Sequence, residues 1–144
     1  MAGNYDYVLM VDSDIQLPSD TLVKLLECDS DIALGWYYHK RTKTDQTVIF
    51  TFGKDFNDNN NIKESVMIHE VPRPIDVKGG GLGIALIKTD IFHNLEYPYF
   101  KFVTYPNDTV LSEDLYFCNQ ATARGFNIKC NPRVKGNHIF EILM

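Results

Sequence analysis

The stretch Asp6–Leu26, DYVLMVDSDIQLPSDTLVKLL, decides how the rest of the chain is read. Tyr7–Val11 is an unbroken apolar run that leads straight into Asp12-Ser13-Asp14. A short apolar run closed by a turn signal reads as a buried strand. Carboxylates beside a core are costly unless they are paired, hydrogen-bonded or bound to a cation. In an extended Asp-x-Asp the two side chains share a side, so both can converge on one hard cation. The carboxyl ends of strands in open α/β sheets are also where ligands bind. The plainer alternative is that the two aspartates make the turn and cap ahead of Pro18. Pro18, Ser19 and Asp20 signal a helix start, with Leu22, Leu25 and Leu26 on one helical face.

Working outward, strands are predicted at Ile32–His39, Thr47–Phe52 and Val66–Val71, the last two separated by KDFNDNNNIKES (54–65), a turn-rich loop expected to be mobile. The Pro-Arg-Pro at 72–74 stops regular structure. From Val77 a glycine-rich segment leads into a short strand and a helix from Thr89. YPYFKFVTYPND (97–108) reads as an aromatic loop. Ser112–Arg124 is the clearest helix, with Ser112 as N-cap, acidic residues in the first turn and Gly125 at C′. Strands at Asn127–Asn131 and Val134–His138 close the chain. Strands alternating with helices, with a strand-rich middle, predict an α/β fold with a mixed sheet.

The 144 residues fit one domain, 1–144, with 44% apolar and 23% charged residues. A net charge of −5 and the lack of any Lys/Arg run argue against a nucleic-acid surface. No apolar run approaches the roughly 20 residues of a membrane span, and no signal-peptide pattern is present. Cys28, Cys118 and Cys130 are widely spaced and odd in number, which predicts buried free thiols and a reducing, cytoplasmic setting.

Projecting the Ser112 helix at about 3.6 residues per turn places Asp114 with Cys118, Ala121 and Gly125, a small and apolar set that faces inward. Glu113 falls with Tyr116, Gln120 and Arg124, facing solvent. An inward carboxylate at that position is a buried cap or a site residue, and the helix N-terminus is expected to favour its ionised form. His138 ends the last strand. The GGGLG run (79–83) fails as a nucleotide loop: Ile84 stands where GxGxxG needs glycine, and no Gly-Lys-Ser/Thr follows. It is left as a segment where backbone approaches substrate or another strand closely.

Taken in order, these pieces resemble one family, the GT-A-fold glycosyltransferases, family-two-like. YVLMVDSDIQLPSDTLVKLLE resembles their Asp-x-Asp segment, and DIALGWYYHKR the strand after it. VKGGGLGIALIKTDIF resembles their glycine-rich turn and strand, and SEDLYFCNQATARGFNIKCNPRVKGNH their acidic-pair helix and terminal histidine. The resemblance covers most of Tyr5–His138 and implies a truncated α/β/α sandwich. It implies that Asp14, helped by Asp12, and His138 hold Mn²⁺ or Mg²⁺ on the diphosphate of a nucleotide sugar. It also implies that Asp114, with Glu113 beside it, deprotonates an acceptor hydroxyl. Asp12, Gly80, Gly81 and Trp36 are the expected substrate contacts. One departure stands out: the strand–helix units that bind the nucleobase in relatives have no counterpart here. Sheet edges bared by that loss favour a homo-oligomer or a partner chain. The competing readings are a non-catalytic sugar- or protein-binding module of the same fold, and a haloacid-dehalogenase-like phosphatase suggested by VLMVDSD. Against the phosphatase, Gln16 replaces the expected Thr or Val, and Glu113-Asp114 opens a helix where that family expects a strand end.

Overall fold

Ile32–Trp36 (IALGW) and Ile84–Lys88 (IALIK) carry apolar residues at successive positions, the pattern of strands covered on both faces. All five residues of the first and four of the second are buried. They lie at the centre of the sheet. The computed structural model describes residues 4–38, 49–50, 73–108 and 110–139. In chain order its elements are β1 (Tyr7–Val11), β2 (Ile15–Gln16), α1 (Thr21–Leu26), β3 (Ile32–Trp36), β4 (Ile49–Phe50), β5 (Ile75–Asp76), β6 (Gly79–Gly80), β7 (Ile84–Lys88), α2 (Thr89–Asn94), β8 (Val103–Thr104), β9 (Val110–Leu111), α3 (Glu113–Ala123), β10 (Ile128–Lys135) and β11 (Asn137–His138).

The main sheet has the order β1-β7-β3-β10-β5 and is mixed. β3 and β10 are parallel; β1–β7, β7–β3 and β10–β5 are antiparallel. Two-residue ribbons β2–β11, β4–β6 and β8–β9 sit around it. The α/β class with a mixed sheet is as the sequence predicts.

The bounds of β1 match the expected strand, but its placement does not. It is an edge strand with alternating exposure rather than a buried one, and Tyr7, Leu9 and Val11 are each about 40% exposed. An apolar run specifies a strand with greasy faces; whether other elements cover those faces is decided elsewhere in the chain. The α1 face also differs from expectation. Thr21 and Leu25 are buried, with Cys28 just beyond the helix, whereas Leu22 and Leu26 are about half exposed. A helix start at Thr21 rotates the stripe by a residue relative to the leucines.

The two closing strands predicted on either side of Pro132 are one eight-residue strand, β10, followed by β11. Its ladder with β3 slips between Cys130 and Lys135. Proline has no N–H to offer a ladder, so a bulge there is the expected accommodation. Trp36 Nε1 takes the freed Pro132 carbonyl at 2.7 Å, and Asn131 Nδ2 reaches the Lys24 carbonyl in α1 at 2.9 Å. α3 ends as predicted: Gly125 has φ of +88°, its N–H reaches Thr122 O, and Phe126 N–H reaches Ala121 O, a double C-terminal closure. Ser112 Oγ caps its start, accepting from Leu115 N at 3.3 Å. The aromatic loop is anchored where Phe100 stacks on buried Phe117 at 4.8 Å. The expected loop 54–65 and strand Val66–Val71 lie outside the described residues.

The start of the parallel pair is clamped by reciprocal hydrogen bonds. Asp31 N donates to Asn127 Oδ1 and Asn127 N donates to Asp31 Oδ2, both at 2.9 Å. Replacing Asp31 by alanine should lower stability by about 1–2 kcal/mol, a bond of this kind being worth roughly 0.5–1.5 kcal/mol. Urea unfolding of Asp31→Ala, Asn127→Ala and the double variant checks it; the two losses should be clearly non-additive.

Candidate functional site

The sequence-predicted residues come together around the Leu82–Gly83 turn that opens β7. At the carboxyl end of β1, Asp12 N donates to Gly83 O at 2.9 Å, and Ile15 N closes the Asp12–Ile15 turn onto Asp12 O at 3.2 Å. That turn delivers β2 onto β11, with His138 opposite Ile15, and Ile139 N donates to the Asp14 carbonyl at 2.8 Å. Asp14 and His138, remote in sequence, therefore lie at one end of the sheet. From α3, Asp114 Oδ2 accepts from Leu82 N at 3.0 Å. From the residue after β3, the Tyr37 hydroxyl accepts from Gly83 N at 3.1 Å.

At Gly83, the last glycine of the GGGLG run, the lack of a side chain is required. A Cβ there would stand 2.6 Å from the Tyr37 hydroxyl and 2.7 Å from Asp12 Oδ2. Real Cβ contacts are not that short, so the turn accepts only glycine without moving both groups. Gly80 is buried, and its carbonyl faces the Cys118 thiol at 3.8 Å. Gly81 is half-buried. Trp36 is 3% exposed with its Nε1 committed to Pro132, so it packs the core and has no surface to offer a substrate. Its neighbour Tyr37, which sequence reasoning missed, is the central side chain of the cluster. Period-two alternation puts Trp36 and Tyr37 on opposite faces of an extended segment; no local signal says which face meets the carboxylates.

The electrostatics follow from crowding. Burial pushes the Tyr37 hydroxyl well above its ordinary pKa; the Gly83 N–H opposes this, and the charges of Asp12, Asp114 and Asp14 add to it. Asp114 is also raised, first by burial, then by Glu113 and Asp12, against the stabilising Leu82 N–H. The expectation that the helix N-terminus favours ionised Asp114 is thus overruled by desolvation. The projection itself holds: Asp114 points inward, half-buried, and Glu113 is exposed. His138 is 5% exposed, packs edge-on against Tyr37 with ring centroids 5.4 Å apart, and its Nδ1 is buried without a hydrogen-bond partner. The three cysteines are free and buried, as expected, and burial raises Cys28 to about 11 and Cys118 to about 12, which leaves them as unreactive thiols.

Carboxylate oxygens are donors suited to Mn²⁺ or Mg²⁺, and the buried Nδ1 of His138 is the one ring nitrogen nearby without a hydrogen-bond partner among the described residues. Among the described residues, no three His, Cys, Asp or Glu side chains are assembled to hold an ion.

The fold and site define an α/β protein with a mixed sheet and an acidic cluster at the ends of its strands. No protein-family model and no curated protein matches the chain. The crystal structure of A197 from STIV is similar in fold, with a TM-score of 0.57 and 20% identity. The likeness covers 93% of this chain and 58% of A197, so this chain spans little more than half the length of that protein. No helix among the described residues is long and apolar enough to cross a membrane.

Asp114→Asn keeps the acceptor for Leu82 N–H and removes a buried charge. A carboxylate whose folded pKa is raised costs stability at pH values above that pKa, and the cost disappears as pH falls below its unfolded value. Asp114→Asn should therefore melt at or above the wild-type temperature at pH 7, with the difference vanishing in acid. Thermal scans from pH 3 to pH 8 check it. A lower melting temperature for the variant at pH 7 would mark Asp114 as a structural cap.

Proposed function

We propose that this chain is the catalytic part of a metal-dependent glycosyltransferase built on a truncated GT-A-like α/β/α sandwich. The observation that carries the reading is the convergence of Asp12 and Asp14 from the turn after β1, Asp114 from α3 and His138 from β11, three separate segments, onto the Tyr37–Gly83 contact. Burial makes an ionised Asp114 costly; a site that recruits a cation gives that arrangement a purpose. The donor is a nucleotide sugar and the acceptor a hydroxyl of a sugar or a protein. Asp14, Asp12 and His138 would hold the cation, which supplies charge neutralisation at the departing diphosphate.

Asp114 is suited to take the acceptor proton. Its burial raises its basicity, and the Leu82 N–H fixes one carboxylate oxygen while leaving the other open. Glu113, exposed on the neighbouring helix face, sharpens this by raising Asp114 further. Gly83 lets Asp12 and Tyr37 approach one another across bare backbone. The resemblance to GT-A-fold enzymes in the order of these motifs, from Asp-x-Asp to terminal histidine, supports the same assignment.

Two outcomes are expected. Calorimetric titration should give Mn²⁺-dependent binding of uridine and guanosine diphosphates with little preference between them, since on this reading the cation carries the diphosphate and no nucleobase-binding unit is recognisable in the sequence. Asp14→Asn or His138→Ala should abolish the metal dependence, and strong selectivity for one base would overturn the truncated reading. In release of diphosphate from a nucleotide sugar, Asp114→Asn should lower the rate by about 10²–10⁴-fold with metal binding unchanged, and Glu113→Gln far less. The wild-type rate should fall as pH drops through a pKa above the usual carboxylate range. Equal activity of Asp114→Asn and wild type would leave only a non-catalytic binding module.

A further inference from the structure

β1 carries a second property, independent of the acidic cluster. Among the described residues it sits at the edge of the main sheet, with β7 as its single neighbour. The ladder to β7 continues through Asp6 O at one end and Asp12 N at the other, so even-numbered residues spend their backbone groups inward. The N–H and C=O groups of Tyr7, Leu9 and Val11 therefore point away from the sheet, along its open edge. The same three side chains are 40%, 42% and 41% exposed, and Tyr5, just before the strand, is 62% exposed. Edge strands are ordinarily protected by lysine, proline, a bulge or a covering element; β1 has no charged residue, no proline and a ladder without a slip. On the face of Val8 lies an apolar cavity of about 340 Å³ lined by Val8, Thr89, Phe92, His93 and Tyr99.

We infer that β1 is a self-association edge, on which a second copy of this chain adds its own β1 antiparallel, in the register centred on Val8. The register follows from the sequence of the strand. The outward backbone groups belong to odd residues, so odd residues must pair with odd ones. Centring on Val8 pairs Tyr7 with Leu9 twice as hydrogen-bonded pairs, sets Tyr5 against Val11 and places Asp6 opposite Met10. The aromatic–aliphatic pairs are favourable ones. Centring on Leu9 would set Asp6 of each copy directly against Asp12 of the other, two like-charge contacts at close range. The strand is self-complementary in the first register and self-repelling in the second. The two-fold axis through Val8 also brings the two apolar cavities side by side, so each copy roofs part of the other. One strand per copy makes an interface at the small end of specific contacts, below about 1,200 Å² in total, so association is of the weak, concentration-dependent kind.

The register makes the test sharp. Opposed non-hydrogen-bonded residues have Cα atoms about 4.5 Å apart, within disulfide reach, and the native cysteines are buried and free. Mild oxidation of Val8→Cys at high protein concentration should yield a covalent dimer that reduction dissolves. Leu9→Cys, which faces Tyr7 of the other copy, should not cross-link. In sedimentation, the wild-type protein should approach twice the 16.5 kDa chain mass as concentration rises. Leu9→Lys should stay monomeric with unchanged circular dichroism. Cross-linking through Leu9→Cys in place of Val8→Cys, a Leu9→Lys variant that still dimerises, or a wild-type protein that stays monomeric into the millimolar range would each overturn the proposal. The last result would leave the edge to a strand of some other polypeptide.

Discussion

Two consecutive peptide units, those of Leu82 and Gly83, tie this structure together. They precede β7, and no sheet ladder accounts for their N–H groups. A buried N–H without a partner costs about as much as a lost hydrogen bond, so each must find an acceptor from another part of the chain. Leu82 N finds Asp114 at the start of α3, and Gly83 N finds the Tyr37 hydroxyl just beyond β3. The Gly83 carbonyl takes the N–H of Asp12 at the end of β1. Three segments far apart in sequence are pinned to one turn, and each arrives bearing a polar or ionisable group. The acidic cluster is a consequence of that closure.

The closure is tense in an electrostatic sense. Tyr37 and Asp114 are both driven toward their neutral forms, by burial first and by neighbouring carboxylates second. Backbone donors offset part of this, and His138 packs its ring edge-on without offering Nδ1 to any carboxylate. Burial therefore favours a proton on Asp114. The bare backbone at Gly83 is what lets Asp12 and Tyr37 come this close.

The main sheet distributes its burial unequally. β3 and β7 are buried almost throughout, whereas β1 has the first aspartate of the cluster just past its end and leaves Tyr7, Leu9 and Val11 exposed. Association along that edge would leave the Asp12–Asp14 turn at the rim of the interface. The bulge at Pro132 does the opposite on the far side of β3. There the indole of Trp36 donates to the Pro132 carbonyl and Asn131 Oδ1 accepts from Arg133 N, which satisfies groups that the interrupted ladder leaves open.

The sequence alone determined whatever depends on neighbours a few residues apart. The strand Tyr7–Val11, the helix from Ser112 with its cap and its Gly125 closure, and the inward direction of Asp114 were all legible, because period and capping act locally. The α/β class with a mixed sheet followed from the order of those elements. The tertiary structure decided everything that depends on who lies alongside. It made the apolar β1 an edge rather than a core strand, turned Leu22 and Leu26 of α1 outward, and fused the segments around Pro132 into one bulged strand. It sent Trp36 into the core and brought Tyr37 to the cluster, a choice between opposite faces of one extended segment. It also made Gly83 a position that only glycine fits, since the Tyr37 hydroxyl and Asp12 Oδ2 occupy the space a side chain there would need. Local chemistry specifies what each residue is able to do; long-range packing specifies which of those capacities are brought together.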